Sequence, residues 1–85
     1  MYYVYIIESK QLGKWYYGFT ERPEERLKEH NGNHSHYTAG KGPWVLIFLR
    51  GFEMETEALV FEKKLKSLKN KLFIRKEFAD FFLKR

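Results

Sequence analysis

Residues Tyr2 to Glu8, Y-Y-V-Y-I-I-E, are apolar or aromatic at odd and even positions alike. Successive side chains of a strand point to opposite faces, so such a run has no face to give to water. It belongs centrally in a sheet, covered on both sides. Ser9 to Gly13 is polar and ends in glycine, which predicts a hairpin loop, and Lys14 to Thr20 returns as a second strand. Pairing Tyr5 opposite Tyr16 would need a turn symmetric about residues 10 and 11; the loop length permits this register without forcing it.

Pro23 suits the first position of a helix, where its missing N–H is not needed, and Glu24 and Glu25 suit the positive end of the helix dipole. The helix runs to His30 and stops at Asn31-Gly32. A long polar loop follows from Asn31 to Pro43, then a third strand, Trp44 to Arg50, ended by Gly51. Thr56 is a good N-cap for a helix carrying Ala58, Phe61, Leu65 and Leu68 on one stripe, with Asn70 supplying its C-terminal turn. Ile74, Phe78, Phe81 and Phe82 mark a final short helix. The order is β-β-α-β-α-α, a single α/β domain spanning residues 1–85 in which helices lie against a small antiparallel sheet.

So short a chain needs a dense core. Eight Phe, six Tyr and two Trp provide it, each ring removing roughly 150–250 Å² from water when buried. There is no cysteine, which excludes disulfides and thiolate metal sites and fits a reducing, cytoplasmic compartment. The N-terminus opens as a strand rather than a signal peptide, and no apolar run approaches the ~20 residues of a membrane span. The net charge of +5 is concentrated: Lys63, Lys64, Lys66, Lys69, Lys71, Arg75 and Lys76 follow one another without an acid between them. That block suits a polyanion, although it equally suits a solvated helix face.

Several side chains in this frame carry chemistry. Tyr5 and Tyr16 are read either as strand packing or as phenols serving a site, and Gly18 beside Tyr16 leaves bare backbone that a ligand can approach. Arg26 and His30, four residues apart, share a helix face. As surface groups they contribute little; as functional groups an Arg fork matches phosphate oxygens, and a histidine can hold a scissile phosphate or carry a proton. Glu62 borders the buried stripe of its helix, where an acid needs a cation. One of the nearby bases could serve, or a divalent metal, since Mg²⁺ is often held by one or two carboxylates with water and substrate phosphate. A rival set, His30, His34 and His36, has zinc-like composition. Sharing one helical face would require the helix to continue through Asn31-Gly32, and no cysteine or acid completes the set.

Tyr3-Val4-Tyr5, Tyr16-Tyr17-Gly18, the Arg26-x-x-x-His30 element and Glu62 in A-L-V-F-E-K-K-L-K together resemble a GIY-YIG endonuclease domain over about Tyr2 to Lys69. Tyr37-Thr38-Ala39 followed by Pro43-Trp44 is similar to the small stand-alone bacterial members, near the UvrC N-terminal and Slx1 nuclease domains. The resemblance implies a three-stranded antiparallel sheet, first strand central, flanked by helices. It implies metal-dependent hydrolysis of phosphodiester bonds, DNA most of all, with a single Mg²⁺ or Mn²⁺ on Glu62. Tyr16 would be the general base, with Tyr5 orienting the site or sharing that role. Arg26 would stabilise the transition state, and His30 would contact the phosphate or assist Tyr16. Gly18, Lys63, Lys66, Lys69 and Lys71 are the candidate nucleic-acid contacts.

The chain departs from the family pattern in four places. Tyr3 replaces the leading Gly, and Tyr17 the middle Ile. Arg22 stands where family helices usually have an Asp cap, a change worth ~1 kcal/mol of helix stability. Ile74 stands where many family nucleases carry an Asn, with Asn70 the nearest candidate. Family nucleases that read particular sites usually add a DNA-binding domain, and none is visible in these residues. The expectation is therefore structure-selective cutting, in DNA repair or recombination, with a partner protein or a homodimer through the last helix left open. The alternative is a weakly active or inactive nucleic-acid-binding module on the same fold.

Overall fold

The computed structural model describes residues 1–32 and 37–84. The elements are β1 (Tyr2–Ser9), β2 (Trp15–Thr20), α1 (Pro23–Asn31), β3 (Trp44–Phe52), α2 (Glu55–Leu68) and α3 (Lys71–Glu77), with a 3-10 turn at Ala79–Phe81. The order is the one expected from the sequence. The sheet runs β2-β1-β3, with both pairings antiparallel and β1 in the centre.

The two faces of β1 open onto two apolar clusters. Val4 and Ile6 meet Phe48, Ala58, Phe61, Leu65 and Ile74, so α2 and α3 cover that side. Tyr5 and Ile7 meet Trp44, Tyr16 and Leu27, so α1 covers the other. The doubly apolar pattern of β1 is thus satisfied by helices on both faces. Phe78, Phe81 and Phe82 pack on the larger cluster, which accounts for them as core cover.

The hairpin register differs from a Tyr5–Tyr16 pairing by two residues. Tyr5 lies opposite Gly18, and Tyr16 lies opposite Ile7. Gly13, at φ +72°, closes the loop, with its N–H on the Ser9 carbonyl at 2.8 Å. A shift of two keeps every side chain on its face, so Tyr5 and Tyr16 still project to the same side. The physical reason is space. A Cβ on Gly18 would stand 2.3 Å from Cζ and Oη of Tyr5, so the phenol of Tyr5 lies across the one residue of β2 that has no side chain.

Element ends were less legible. Gly51 does not end β3, which continues to Phe52, and a bulge leaves Ile47 extra between the pairs Ile6–Phe48 and Ile7–Leu46. The Ile47 carbonyl accepts the Leu83 N–H at 2.8 Å, and Phe48 bridges Phe82, so the C-terminal segment docks on the outer edge of β3. α2 starts one residue before Thr56, at Glu55, with Met54 as N-cap and no side-chain cap bond. Lys69, not Asn70, takes the left-handed C-cap position of α2. Asn70 instead caps α3, accepting the Phe73 N–H at 3.0 Å. α3 is shorter than a helix reaching Phe82, because the chain tightens at Ala79 to bring Phe81 and Phe82 over Phe48. Arg22 is the N-cap of α1 and makes no side-chain cap bond, as expected from the missing Asp.

Gly18→Ala should lower stability by about 1–3 kcal/mol, the usual range for overpacking. In a Tyr5→Ala background the same change should be nearly free. Urea unfolding of the four proteins checks this; equal losses in both backgrounds would show that the two residues do not share that space.

Candidate active site

Tyr5 and Tyr16 reach one buried group from two strands. His30, the last full turn of α1, has no exposed surface. Its Nε2 shares a 2.8 Å hydrogen bond with Tyr5 Oη, and its Nδ1 shares another of 2.8 Å with Thr38 Oγ1. The Tyr16 ring leans on the imidazole at a centroid distance of 5.0 Å. Burial, helped by the charge of Arg26, pushes the His30 pKa down to about 4. The ring is therefore neutral at pH 7, and one of the two hydroxyls donates to it while the other accepts.

Tyr5 is shifted in the opposite direction. Burial pushes its phenol up to about 12; Arg26 beside it pulls down, while Tyr16 and Glu62 add to the rise. At neutral pH Tyr5 keeps its proton and remains a hydrogen-bond donor. Arg26 is partly exposed and holds Glu29 Oε1 at 2.7 Å. Burial works against its charge, but the Glu29 hydrogen bond and Tyr5 outweigh that, and its pKa is raised.

Glu62 belongs to α2, on the far face of the sheet, yet its charge is felt at Tyr5. β2 is an edge strand, and the two layers meet around that edge. A slot of about 330 Å³ there is lined by Trp15, Tyr16 and Tyr17 of β2, by Tyr37 of the α1–β3 loop and by Lys66 of α2. The Glu62 side chain is 17 % exposed and has Lys66 Nζ at 3.4 Å. Among the described residues, no group of three His, Asp or Glu side chains could hold a metal ion. The donor set is one half-buried carboxylate, paired with Lys66, which itself lines the slot. It fits a hard divalent ion that takes most of its ligands from water and substrate phosphate.

Three sequence expectations need correction. Gly18 is buried under the Tyr5 ring, so its bare backbone makes room for a phenol and not for a ligand. His30 is enclosed with both nitrogens engaged, a position behind the tyrosines that suits the alternative of assisting Tyr16 better than direct contact with a phosphate; the same bonds remove it from any zinc set. Its partners in that set, His34 and His36, lie outside the described residues. Lys71 is committed to the fold: its Nζ donates to the Gly13 carbonyl at 2.7 Å and sits over Trp15, where Arg75 joins it. Lys63, Lys66 and Lys69 remain on the exposed side of α2.

Sequence reasoning missed Thr38 and Tyr37 as site residues. Thr38 is fully buried against His30, and its carbonyl accepts the Trp44 Nε1–H at 3.1 Å. Asn31 ties the same loop, accepting the Trp44 N–H at 2.6 Å. Nothing periodic marks a threonine eight residues beyond a histidine in a polar loop. The one available signal was the family-like stretch that contains it.

A profile described as the GIY-YIG catalytic domain matches residues 1–77, and the chain belongs to the GIY-YIG family. It is 40 % identical over 67 residues to the UPF0213 protein BH0048 of Halalkalibacterium halodurans, covering 78 % of this chain and 70 % of that one. The solution NMR structure of a protein of that name superposes with a TM-score of 0.55 at 34 % identity, covering 94 % of this chain and 84 % of the other. The structure-specific endonuclease subunit slx1 of Xenopus laevis is 36 % identical over 67 residues, 73 % of this chain but 24 % of that protein. The chain thus spans about a quarter of the length of that relative. Family and relatives together support a nuclease.

The His30 shift makes a pH prediction. Between its ordinary value of 6.5 and about 4, the unfolded chain holds the proton and the folded chain does not. Stability contributed by neutral His30 is complete above pH 6.5 and lost as pH falls through that window. Denaturant titrations from pH 7 to pH 4 should show the wild type losing about 2–3 kcal/mol more than His30→Gln. Parallel losses would show that the buried imidazole is not the group responsible.

Proposed function

We propose that this chain is a divalent-metal-dependent endonuclease that hydrolyses phosphodiester bonds in DNA, selecting its substrate by structure rather than by sequence and acting in repair or recombination. The observation that carries the reading is the convergence of Tyr5, Tyr16 and Arg26 on a single neutral histidine, with the charge of Glu62 felt at Tyr5 as well. The slx1 relative, a structure-specific endonuclease subunit, supports structure selectivity and a partner subunit.

Glu62 would hold one Mg²⁺ or Mn²⁺, and a bound ion there supplies positive charge that stabilises the departing 3′ oxygen. Arg26, charged at any working pH, offers its fork to the non-bridging oxygens and stabilises charge as the pentacovalent phosphorus forms. Tyr16 lines the slot and serves as the general base that takes a proton from the attacking water while the new O–P bond forms and the P–O3′ bond breaks, the 3′ oxygen taking its proton from solvent. Tyr5 is enclosed and keeps its own proton, so it is a positioning residue that aligns His30 and Arg26. His30 and Thr38 hold the rings of both tyrosines in place from behind.

A second reading, a nucleic-acid-binding module without vigorous cleavage, draws on one observation. Ile74 stands where many family nucleases keep an Asn, and it is fully buried in the core, so no polar group serves the site from that position.

Purified protein with Mg²⁺ or Mn²⁺ should cut at least one of flapped, forked or nicked duplexes. Glu62→Ala and Tyr16→Phe should each lower that rate by about 10²-fold or more while leaving binding within about threefold. A wild-type protein that binds these substrates and never cuts them at stoichiometric excess would leave the second reading in place.

A further inference from the structure

The slot at the edge of β2 has a chemistry that phosphate handling does not use. Three of its five lining residues are tyrosines, and a fourth is Trp15. Tyr37 is 56 % exposed, and its ring leans on that of Tyr16 at a centroid distance of 5.4 Å. The rest of that ring is open to solvent beside the slot. Lys41 Nζ lies 4.3 Å from the Tyr37 ring centroid, held by a 2.8 Å hydrogen bond to the Tyr37 carbonyl. A π-face with an ammonium already on it matches a planar base followed by a phosphate: the base takes the ring, and the ammonium moves to the anion.

Charge distinguishes the slot from the groove that Arg26 itself lines. That groove, about 310 Å³, sets Glu21, Glu25 and Glu29 against Arg22 and Arg26, so acids outnumber bases along it and it favours a polyanion less than the slot does. The slot side carries Lys66 and Lys41 instead. A strand entering from the slot meets cations and rings and reaches Tyr16 first. The slot's volume sits near the lower end of ligand pockets, roughly 300–1,000 Å³, which suits one flat ring system and not a stacked base pair.

We propose that this slot binds one unpaired nucleobase next to the phosphate being cut, with Tyr37 as its stacking face. The proposal rests on the nuclease reading and adds what that reading leaves open: the structural feature selected is an unpaired nucleotide, as at a flap or a fork, held by an aromatic ring rather than by base-specific hydrogen bonds. Such stacking tolerates any base.

The test uses binding, so that it stands apart from cleavage. In a Glu62→Gln background, two DNA substrates of equal length are compared, a flapped duplex and a continuous duplex. The flapped substrate carries 2-aminopurine at the first unpaired position. Binding should quench or shift its fluorescence, and Tyr37→Ala should remove that change. Tyr37→Ala should weaken binding of the flap by about five- to tenfold and of the continuous duplex by less than twofold, while Tyr37→Phe keeps the wild-type pattern. Equal weakening on both substrates, no weakening on either, or an unresponsive 2-aminopurine would overturn the proposal. Should Tyr37→Ala fail to fold, the response of the protein with Tyr37 intact still decides. A quenched base, together with wild-type protein that never cuts these substrates with Mg²⁺ or Mn²⁺, would refute the nuclease reading and keep the slot.

Discussion

The hydrogen bond between Tyr5 and His30 is the contact on which the rest of the site depends. It joins the central strand to the end of α1 and is out of reach of water. It also explains oddities on either side. Gly18 is needed because the phenol must cross β2 to reach the imidazole. Thr38 is buried because the other ring nitrogen needs a partner once water is excluded. A neutral histidine bonded by hydroxyls on both sides avoids burying a charge, and the two opposite pKa shifts have that one cause.

The layer arrangement then decides which chemistry each face holds. α1 brings Arg26 and His30 to one side of the sheet, and α2 covers the other with Ala58, Phe61 and Leu65. A three-stranded sheet is narrow, so residues on opposite faces can still meet around an edge. The β3 edge is occupied by the C-terminal segment through Leu83 and Phe82. The β2 edge carries no further strand among the described residues, and there the slot forms. Lys71 and Arg75, laid over Trp15, fasten α3 to the end of the same strand. Their positive charge is used in holding β2 still.

Much of this was legible in the sequence, for particular reasons. The doubly apolar β1 run could only be central, and the stripe on α2 could only face the sheet. The side on which Tyr5 and Tyr16 point was also readable, because a register error of two leaves parity unchanged. The register itself was not, since it depends on the fit of a ring over Gly18. His30 looked like a surface group because the helix around it is polar; its burial comes from a loop that folds back through Thr38, Asn31 and Trp44. Asn70 was misassigned because a side chain that can end one helix can equally start the next.

The separation of Glu62 from the tyrosines by a whole layer has a hereditary consequence. Every group that grips or aligns the phenols lies on β1, β2, α1 and one loop, while the acid rides alone on α2. A substitution at Glu62 alone removes the acid without changing a hydrogen bond or ring contact of the tyrosine–histidine cluster, since none of those contacts involves α2. Descendants of such a fold can therefore lose the acid in one small step and still inherit an intact tyrosine–histidine cluster.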